Sequence, residues 1–185
     1  GTRQRASWGG VELVSILSGC LKRRHWLASA TLLAFISAGG GRASQSVVLA
    51  QRQLATVLSI GDGDTIRVRT GGRPITIRLA CIDAPETAQS PWGQQARRYL
   101  QQRLPIGRTV SLDVKTTDRY GRTVAEVISD ININLVLVED GQAFAYRQYL
   151  GGCDAKEYLD AEYRAMRSRY GVWQVPGGIT RPWEY

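Results

Sequence analysis

Three short segments of the chain carry acids and arginines in patterns that suit attack on an anionic ester. Residues 62–65 hold two aspartates around a glycine, residues 78–86 run from an arginine to two carboxylates, and residues 118–122 hold an aspartate and two arginines. Pro85 lies between the two carboxylates of the second segment. Because proline has no N–H to give to a sheet, a strand should end there. Ordered segment ends that project acids are common positions for chemistry, so we hypothesise that the three segments meet in one phosphodiester-cleaving site.

The acids of the first two segments predict a site for a hard metal ion. Asp64, Asp83 and Glu86 offer only carboxylate oxygens, and such donors prefer Ca²⁺, Mg²⁺ or Mn²⁺. The pattern that begins at Asp62 is similar to the start of an EF-hand calcium loop. However, the twelfth position counted from Asp62 is Arg73 and not the glutamate that such a loop requires, which excludes that motif.

The arginines of the second and third segments suit an anionic substrate. Arg78 and Arg122 carry planar guanidinium groups that match phosphate oxygens and would offset the charge that develops as a nucleophile adds. Glu86 could align or deprotonate water, a role worth roughly 10²–10⁴ in rate. Taken singly, each of these residues also fits an ordinary role as a strand, loop or surface charge. The catalytic interpretation therefore depends on the three segments meeting in space.

Composition excludes several classes of site. The only histidine is His25, so residues 44–185 cannot hold a Ser-His-Asp site, a Cys-His site or a nuclease with a histidine base. Formal net charge is +8, but residues 1–43 hold six of the 24 basic residues and one of the 16 acidic residues, which leaves +3 for the remainder. That remainder is only weakly basic, so charge alone is poor support for nucleic-acid binding.

The first 43 residues have the pattern of a targeting leader. A basic cluster at residues 22–24 precedes a mostly apolar run at residues 26–38, and three glycines follow. This arrangement is typical of a secretory signal peptide, and the apolar run is short for a membrane span of roughly 20 residues. We expect residues 1–43 to direct secretion or export to the periplasm and residues 44–185 to form the functional domain. An uncleaved membrane anchor and an ordinary apolar segment are the alternatives.

Two cysteines remain in the predicted domain. After export, Cys81 and Cys153 would meet oxidising conditions, in which a disulfide could form. The alternative is that Cys81 is a small core residue with a free thiol.

Hydrophobic patterning predicts a small barrel with helices packed on it. Alternation and turn signals predict strands at residues 52–60, 65–69, 75–79, 110–114 and 123–128. Helical patterns occupy residues 92–104 and 155–169, whereas residues 133–140 fit either a strand or a helix, and residues 171–185 fit an irregular segment. Five strands with a helix after the third suit a closed β-barrel, because closure removes exposed strand edges.

Taken together, residues 62–65, 78–86 and 118–122 resemble the three motifs of the staphylococcal nuclease (thermonuclease) family. The motifs occur in the family's order, and the resemblance covers about residues 52–173. It implies an α+β, mainly β fold, a five-stranded OB-fold barrel with about three helices, in which residues 133–140 are helical. It also implies a nuclease that uses one Ca²⁺ ion to cleave single-stranded or frayed DNA and RNA with little sequence specificity, leaving 3′-phosphate ends. We expect a monomer without a stable protein partner.

The resemblance also assigns roles to individual residues. The implied catalytic residues, which hold phosphate or act as general base, are Arg78, Glu86 and Arg122. The implied calcium ligands are Asp64, Asp83 and the backbone carbonyl of Ala84. The implied substrate-binding residues are Arg119, Tyr120, Tyr146 and Tyr149. Ala84 stands where a threonine is usual, so a carbonyl ligand is kept and a hydroxyl is lost.

Two other functions are compatible with a barrel of this size. One is a non-catalytic OB-fold protein that binds nucleic acid, and the other is a structural or protein-interaction barrel. The joint presence of the acids and arginines of the three segments favours the nuclease.

Overall fold

The computed structural model describes residues 52–185. The predicted leader at residues 1–43 and the start of the domain at residue 44 lie outside the described residues and stay predictions. Among residues 52–185, no helix is both long and apolar enough to cross a membrane.

One sheet of six strands contains the five predicted strands. These are β1 (Gln53–Ile60), β2 (Thr65–Thr70), β3 (Arg73–Leu79), β5 (Thr109–Thr117) and β6 (Thr123–Ser129). The short β4 (Ile82–Asp83), β7 (Ile131–Asn132) and β8 (Phe144–Ala145) complete the set. The sheet order is β3-β2-β1-β5-β6-β7, and a parallel pairing of β3 with β6 closes it into a barrel. The predicted α+β, mainly β, five-stranded OB-fold barrel is confirmed.

Alternating side chains build the barrel interior. In β2, Ile66 and Val68 are fully buried while Arg67 and Arg69 are exposed, as expected for a strand with one face on the core. The same register places Arg78 of β3 opposite Thr65 of β2, on the outer face. Arg78 is therefore directed away from the core by the alternation of its own strand.

Three helices cover the barrel: α1 (Trp92–Arg103), α2 (Ile133–Glu139) and α3 (Ala155–Ser168). The segment that the sequence left ambiguous is thus a helix, and the side chain of Asn132 caps it by accepting from the N–H of Leu135. Asn134 is completely buried and its amide bonds to Val127 N–H and to the carbonyls of Ala80 and Ala125. This amide fixes α2 against the loop that leads from β3 to β4.

A second, two-stranded sheet lies next to the barrel. It pairs β4 with β8 in antiparallel register, so that Asp83 faces Phe144 and Ile82 faces Ala145. Both strands are too short to give a periodic signal, which is why the sequence pattern predicts neither. The pairing connects the end of the acidic segment to the region before α3.

The chain ends in short 3₁₀ segments and turns, as the glycines and prolines of the tail predict. The last ten residues, 176–185, are called the C-terminal strap below. Beneath this strap, the rings of Phe144 and Trp173 pack edge to face with their centroids 5.2 Å apart. Arg181 of the strap lies over both rings.

Candidate active site

The first acidic segment forms the turn between β1 and β2. Asp64 is 7% exposed, and its backbone N–H donates to the Asp62 carboxylate at 3.1 Å. Its own carboxylate accepts a hydrogen bond of 2.7 Å from the N–H of Ala84. Since Ala84 follows β4, this bond fastens the first acidic segment directly to the second.

Arg78 lies between the two buried aspartates. One guanidinium nitrogen is 2.6 Å from an Asp64 oxygen, an ion-pair contact without hydrogen-bond geometry. The other terminal nitrogen donates to the carboxylate of Asp83. A single cation therefore separates two carboxylates that would otherwise repel each other.

Burial governs the protonation of these acids. It raises the pKa of Asp64 to about 7, even though Arg78 acts in the opposite direction. Burial likewise raises the pKa of Asp83, again against the effect of Arg78. At both carboxylates the effect of burial thus outweighs that of the single arginine, so further positive charge there would be favourable.

Arg122 is positioned by the turn between β5 and β6. Asp118 accepts from the backbone N–H groups of Tyr120 and Arg122, both at 2.9 Å, and from Arg122 Nε at 2.7 Å. Gly121 has a φ of 77°, a value at which a side chain would be strained. The parallel pairing of Arg78 with Val124 then places this turn beside β3.

A cavity of about 240 Å³ joins the three segments. It is lined by Asp62, Gly63, Asp64, Thr65, Arg78, Asp83, Ala84, Pro85, Glu86 and Arg122. The proposed metal ligands and the proposed catalytic residues therefore face one space. Their roles stay predictions, but the condition that the sequence could not test, the meeting of the three segments, is fulfilled.

The donor set of the cavity fits a hard divalent cation. Four carboxylates and two guanidinium groups line it, so two negative charges are in excess when all six groups are ionised. Within residues 52–185, no three His, Cys, Asp or Glu side chains are clustered as a metal site. A metal would thus depend on Asp64 and Asp83, with backbone carbonyl and water oxygens, a mixture that Ca²⁺ accepts.

Glu86 lies on an exposed loop whose backbone is tightly held. Its N–H donates to the side-chain oxygen of Gln89 at 2.9 Å, and its carbonyl accepts from the N–H of Gln89 at 2.8 Å. The amide nitrogen of Gln89 donates to the carbonyl of Thr180 at 2.9 Å. Gly93 lies against the same loop, since a Cβ there would be 2.1 Å from the Glu86 carbonyl oxygen.

A larger groove of about 680 Å³ adjoins the cavity and shares Arg78 and Arg122 with it. The four predicted substrate-binding residues line this groove: Arg119, Tyr120, Tyr146 and Tyr149. Tyr146 and Tyr149 pack edge to face with centroids 4.7 Å apart. The guanidinium of Arg119 lies 4.8 Å from the centre of the Tyr120 ring, so the groove has both cationic and aromatic side chains in its lining.

Cys81 and Cys153 form a disulfide at the edge of this groove. The carbonyl of Cys81 also accepts a 2.9 Å hydrogen bond from the N–H of Tyr146. Cys81 has a φ of 67°. This value lies in the left-handed region, which residues other than glycine seldom adopt. The disulfide and the hydrogen bond together connect the acidic segment to the tyrosines, and the pairing that the sequence left open is present.

Three supporting residues were missed by reasoning from the sequence. Asp118 belongs to the third motif, but only its hydrogen bonds show that it holds Arg122. Gln89 and Trp183 act on Glu86 and Tyr146, and neither has a local pattern that points to such a contact. For residues 171–185 the sequence predicts only an irregular segment, which does not say what Trp183 contacts.

Comparison with known proteins gives consistent matches. A family model described as staphylococcal nuclease homologue matches residues 76–175. The chain is 39% identical over 139 residues to a micrococcal nuclease of Shigella flexneri, which covers 70% of this chain and 78% of that protein. It is 37% identical over 139 residues to the protein ParB of Escherichia coli, covering 70% and 76%. It is also 39% identical over 125 residues to an uncharacterized endonuclease of Haemophilus influenzae, covering 66% and 67%.

Proposed function

Since the chain belongs to the staphylococcal nuclease family and is a nuclease that hydrolyses phosphodiester bonds, we propose that it is a calcium-dependent endonuclease. It cleaves DNA and RNA with little sequence specificity and leaves 3′-phosphate ends. The observation that supports this most strongly is the cavity in which Arg78 and Arg122 face the same space as Asp64, Asp83 and Glu86.

The two arginines hold the phosphate in this proposal. Arg78 and Arg122 line both the cavity and the groove, so a phosphate at the junction would face two planar cations, one from β3 and one from the turn between β5 and β6. Guanidinium groups bind phosphate oxygens in pairs of hydrogen bonds, and they act most strongly where negative charge develops. Arg122 keeps its Asp118 contacts and presents its remaining nitrogens to the substrate.

Glu86 acts on the attacking water. Its carboxylate borders the cavity while its backbone is held at both the N–H and the carbonyl by Gln89. An anchored backbone with an exposed carboxylate suits a group that must align water and accept its proton. Glu86 takes a proton from the water as the water oxygen attacks phosphorus, the bond to the 5′ oxygen breaks, and the leaving 5′ oxygen takes a proton from solvent.

Calcium is held by Asp64, Asp83 and the carbonyl of Ala84 in this proposal. The ion supplies positive charge that offsets the negative charge of the phosphate and of the buried acids. The excess of acids over arginines in the cavity supports a cation there.

The groove binds the neighbouring bases. Tyr120, Tyr146 and Tyr149 offer aromatic surface beside Arg119, and stacking accepts any base, which suits an enzyme of low specificity. Stacking requires unpaired bases, so single-stranded or frayed substrates are preferred. We propose that the enzyme acts as a monomer.

The disulfide supports an extracytoplasmic location. Disulfides persist in secreted and periplasmic proteins and are rare in reducing compartments, and Cys81 pairs with Cys153 here. We therefore propose that residues 1–43 direct export, with retention of the leader as a membrane anchor as the alternative.

Digestion of denatured DNA by the full chain tests the proposed function. Calcium should support cleavage, an excess of the chelator EGTA should abolish it, and phosphatase should be needed before a polymerase can extend the products. Undiminished cleavage in EGTA would contradict the calcium requirement. DNA binding without any cleavage would instead support the non-catalytic OB-fold protein.

A further inference from the structure

The C-terminal strap lies beyond the residues that the family model matches, which end at residue 175. It nevertheless makes three contacts with the rest of the domain, and two of them reach the loop or the ring of a proposed site residue, Glu86 and Tyr146. A tail that only covered the core would not be expected to bond to the loop of one site residue and stack on another.

The first contact reaches the Glu86 loop through Gln89. The Gln89 side chain is buried, and its amide nitrogen donates to Thr180 of the strap at 2.9 Å while its oxygen accepts from Glu86 N–H at 2.9 Å. One amide thus connects the strap to the backbone of the proposed general base. If Thr180 moved, the amide could keep both bonds only by displacing Glu86.

The second contact fixes the strap in place. The Arg181 guanidinium lies 4.3 Å from the Phe144 ring centre and 4.9 Å from that of Trp173. It also donates to the carbonyl of Ile179 at 2.9 Å. Phe144 pairs with Asp83 across β4 and β8, so the ring beneath Arg181 belongs to the strand that pairs with a proposed calcium ligand.

The third contact supports the tyrosines of the groove. Trp183 stacks on Tyr146 with ring centroids 4.8 Å apart and ring planes inclined by 5°. Tyr146 lines the groove, whereas Trp183 does not, so the indole supports the tyrosine from outside. Trp183 is 37% exposed, so burial of the indole alone does not account for this parallel stack.

We infer that the C-terminal strap is a positioning element of the active site with two separable tasks. Through Gln89 it holds the backbone of Glu86, and through Trp183 it holds Tyr146 in the orientation that binds a base. The first task affects the chemical step and the second affects substrate binding. This inference rests on the proposed function.

Steady-state kinetics on a single-stranded oligonucleotide can separate the two tasks. Gln89→Met removes both amide bonds, and Gln89→Asn shortens the amide by one methylene so that it cannot reach both partners. Both variants should lower kcat about tenfold and leave KM within about twofold of wild type. If Gln89→Met does not fold, Gln89→Asn carries the test.

The Trp183 variants should give the opposite kinetic pattern. Trp183→Ala should raise KM about five- to tenfold and leave kcat within about twofold, because Tyr146 loses its support while Glu86 does not move. Trp183→Phe keeps a ring against Tyr146 and should restore most of the affinity. All kcat values are expressed per native molecule, with the native fraction measured by thermal unfolding.

Two matched variants control for general damage. Gln142→Met removes a comparable amide bond, to the carbonyl of Asp140, away from the site, and Tyr185→Ala removes an exposed aromatic ring from the same strap. Both should have wild-type kinetics. Wild-type kcat in both Gln89 variants, or wild-type KM in Trp183→Ala, would overturn the inference, as would stability losses with unchanged kinetics per native molecule.

Wild-type cleavage is measured first, so that the two failures can be told apart. An inactive full chain would overturn the proposed function, and an active enzyme with unaffected variants would overturn only the strap inference. In the inactive case, the Kd of a labelled single-stranded oligonucleotide for wild type and Trp183→Ala still tests the strap. Equal Kd values would overturn it.

Discussion

Arg78 is the side chain that neutralises part of the negative charge of the buried aspartates. Its guanidinium contacts Asp64 and Asp83, and it faces both the cavity and the groove. Removing one partner of such a buried group leaves an unpaired charge, which costs about 3–5 kcal/mol. Arg122 has a simpler environment because, within residues 52–185, Asp118 is its one ion-pair partner, on an exposed turn. Substitutions at Arg122 therefore report on catalysis with less effect on the fold.

The close approach of the Glu86 loop requires glycine at position 93. A Cβ at this position would lie 2.1 Å from the Glu86 carbonyl oxygen and 2.8 Å from the Cα of Thr87. Both are backbone atoms, so Gly93→Ala should displace the Glu86 loop. We predict that kcat falls about tenfold or more and that the free energy of unfolding falls by about 1–3 kcal/mol.

Gly151→Ala is the matched control, because no atom lies within 4 Å of a Cβ at that position. Kinetics at saturating substrate and urea unfolding of both variants give the comparison. A wild-type kcat in Gly93→Ala would show that the position of this loop does not limit the reaction.

Local patterns made the reacting residues predictable from the sequence. Arg78, Asp83 and Glu86 lie within nine residues of one another, so strand alternation and one proline are enough to place them together. Gln89 and Thr180 are 91 residues apart, and their contact depends on how the finished tail crosses the barrel. Neither residue has a local sequence pattern that predicts this contact.

At the level of elements, a polar network connects the barrel to the helices. Glu126 of β6 accepts from Tyr158 of α3 at 2.6 Å and from the side chain of Asn132 at 2.7 Å, and it lies 2.9 Å from Lys115 of β5. Burial would raise the pKa of Glu126, but the bonds from Lys115, Tyr158 and Asn132 outweigh it, so the pKa lies below its usual value. The carboxylate therefore stabilises the fold in its charged form.

The sign of this shift predicts a pH-dependent stability difference. A carboxylate with a lowered folded pKa stabilises the protein above the unfolded value, here 4.5, and this contribution is lost as the pH falls through the folded pKa. Glu126→Gln should lower the free energy of unfolding by about 1–3 kcal/mol at pH 7. Its difference from wild type should shrink as the pH falls below that unfolded value.

Urea unfolding from pH 7 to pH 3 checks this prediction. Glu139→Gln is the control, because its exposed pair with Arg164 should contribute about 0–1 kcal/mol. A constant difference between Glu126→Gln and wild type across this range would contradict the assigned role of the charge.

The helices and short strands differ in how far the sequence predicts them. Residues 155–169 were predicted as a helix because their apolar face is periodic, and α3 (Ala155–Ser168) agrees within one residue. The sequence is ambiguous at residues 133–140 because β-branched side chains favour strands. In the structure, the Asn132 cap and the hydrogen bonds of buried Asn134 stabilise this segment as a helix. β4 and β8 have two residues each, which is too few for any period.

At the scale of the whole molecule, the disulfide closes a loop that runs from the end of β3 to the start of α3. Cys81 and Cys153 are 72 residues apart, and in the chain-entropy model a loop of this length stabilises the fold by about 4 kcal/mol. Reduction with dithiothreitol should therefore lower the free energy of unfolding by about 2–4 kcal/mol. Urea unfolding with and without the reductant measures this change.

The Cys81→Ser/Cys153→Ser double variant provides the comparison for the reduced protein. It should unfold like reduced wild type and should not respond to the reductant. Mass spectrometry of a non-reduced digest should detect the two cysteine peptides as one linked species. Separate peptides in the oxidised protein would show that the pairing does not form.

In the proposed function, Arg78 of β3 and Arg122 of the turn between β5 and β6 act on one phosphate beside the buried acids. The most direct test is the single-turnover cleavage rate of Arg122→Lys on a single-stranded oligonucleotide in calcium, with Arg164→Lys as a control at an exposed ion pair. Lysine keeps the charge but loses the planar fork, so the rate of Arg122→Lys should fall about 100-fold or more, with unchanged thermal unfolding. The Arg164→Lys control should cleave like wild type. A near-normal rate in Arg122→Lys would contradict the claim that these two arginines bind the phosphate.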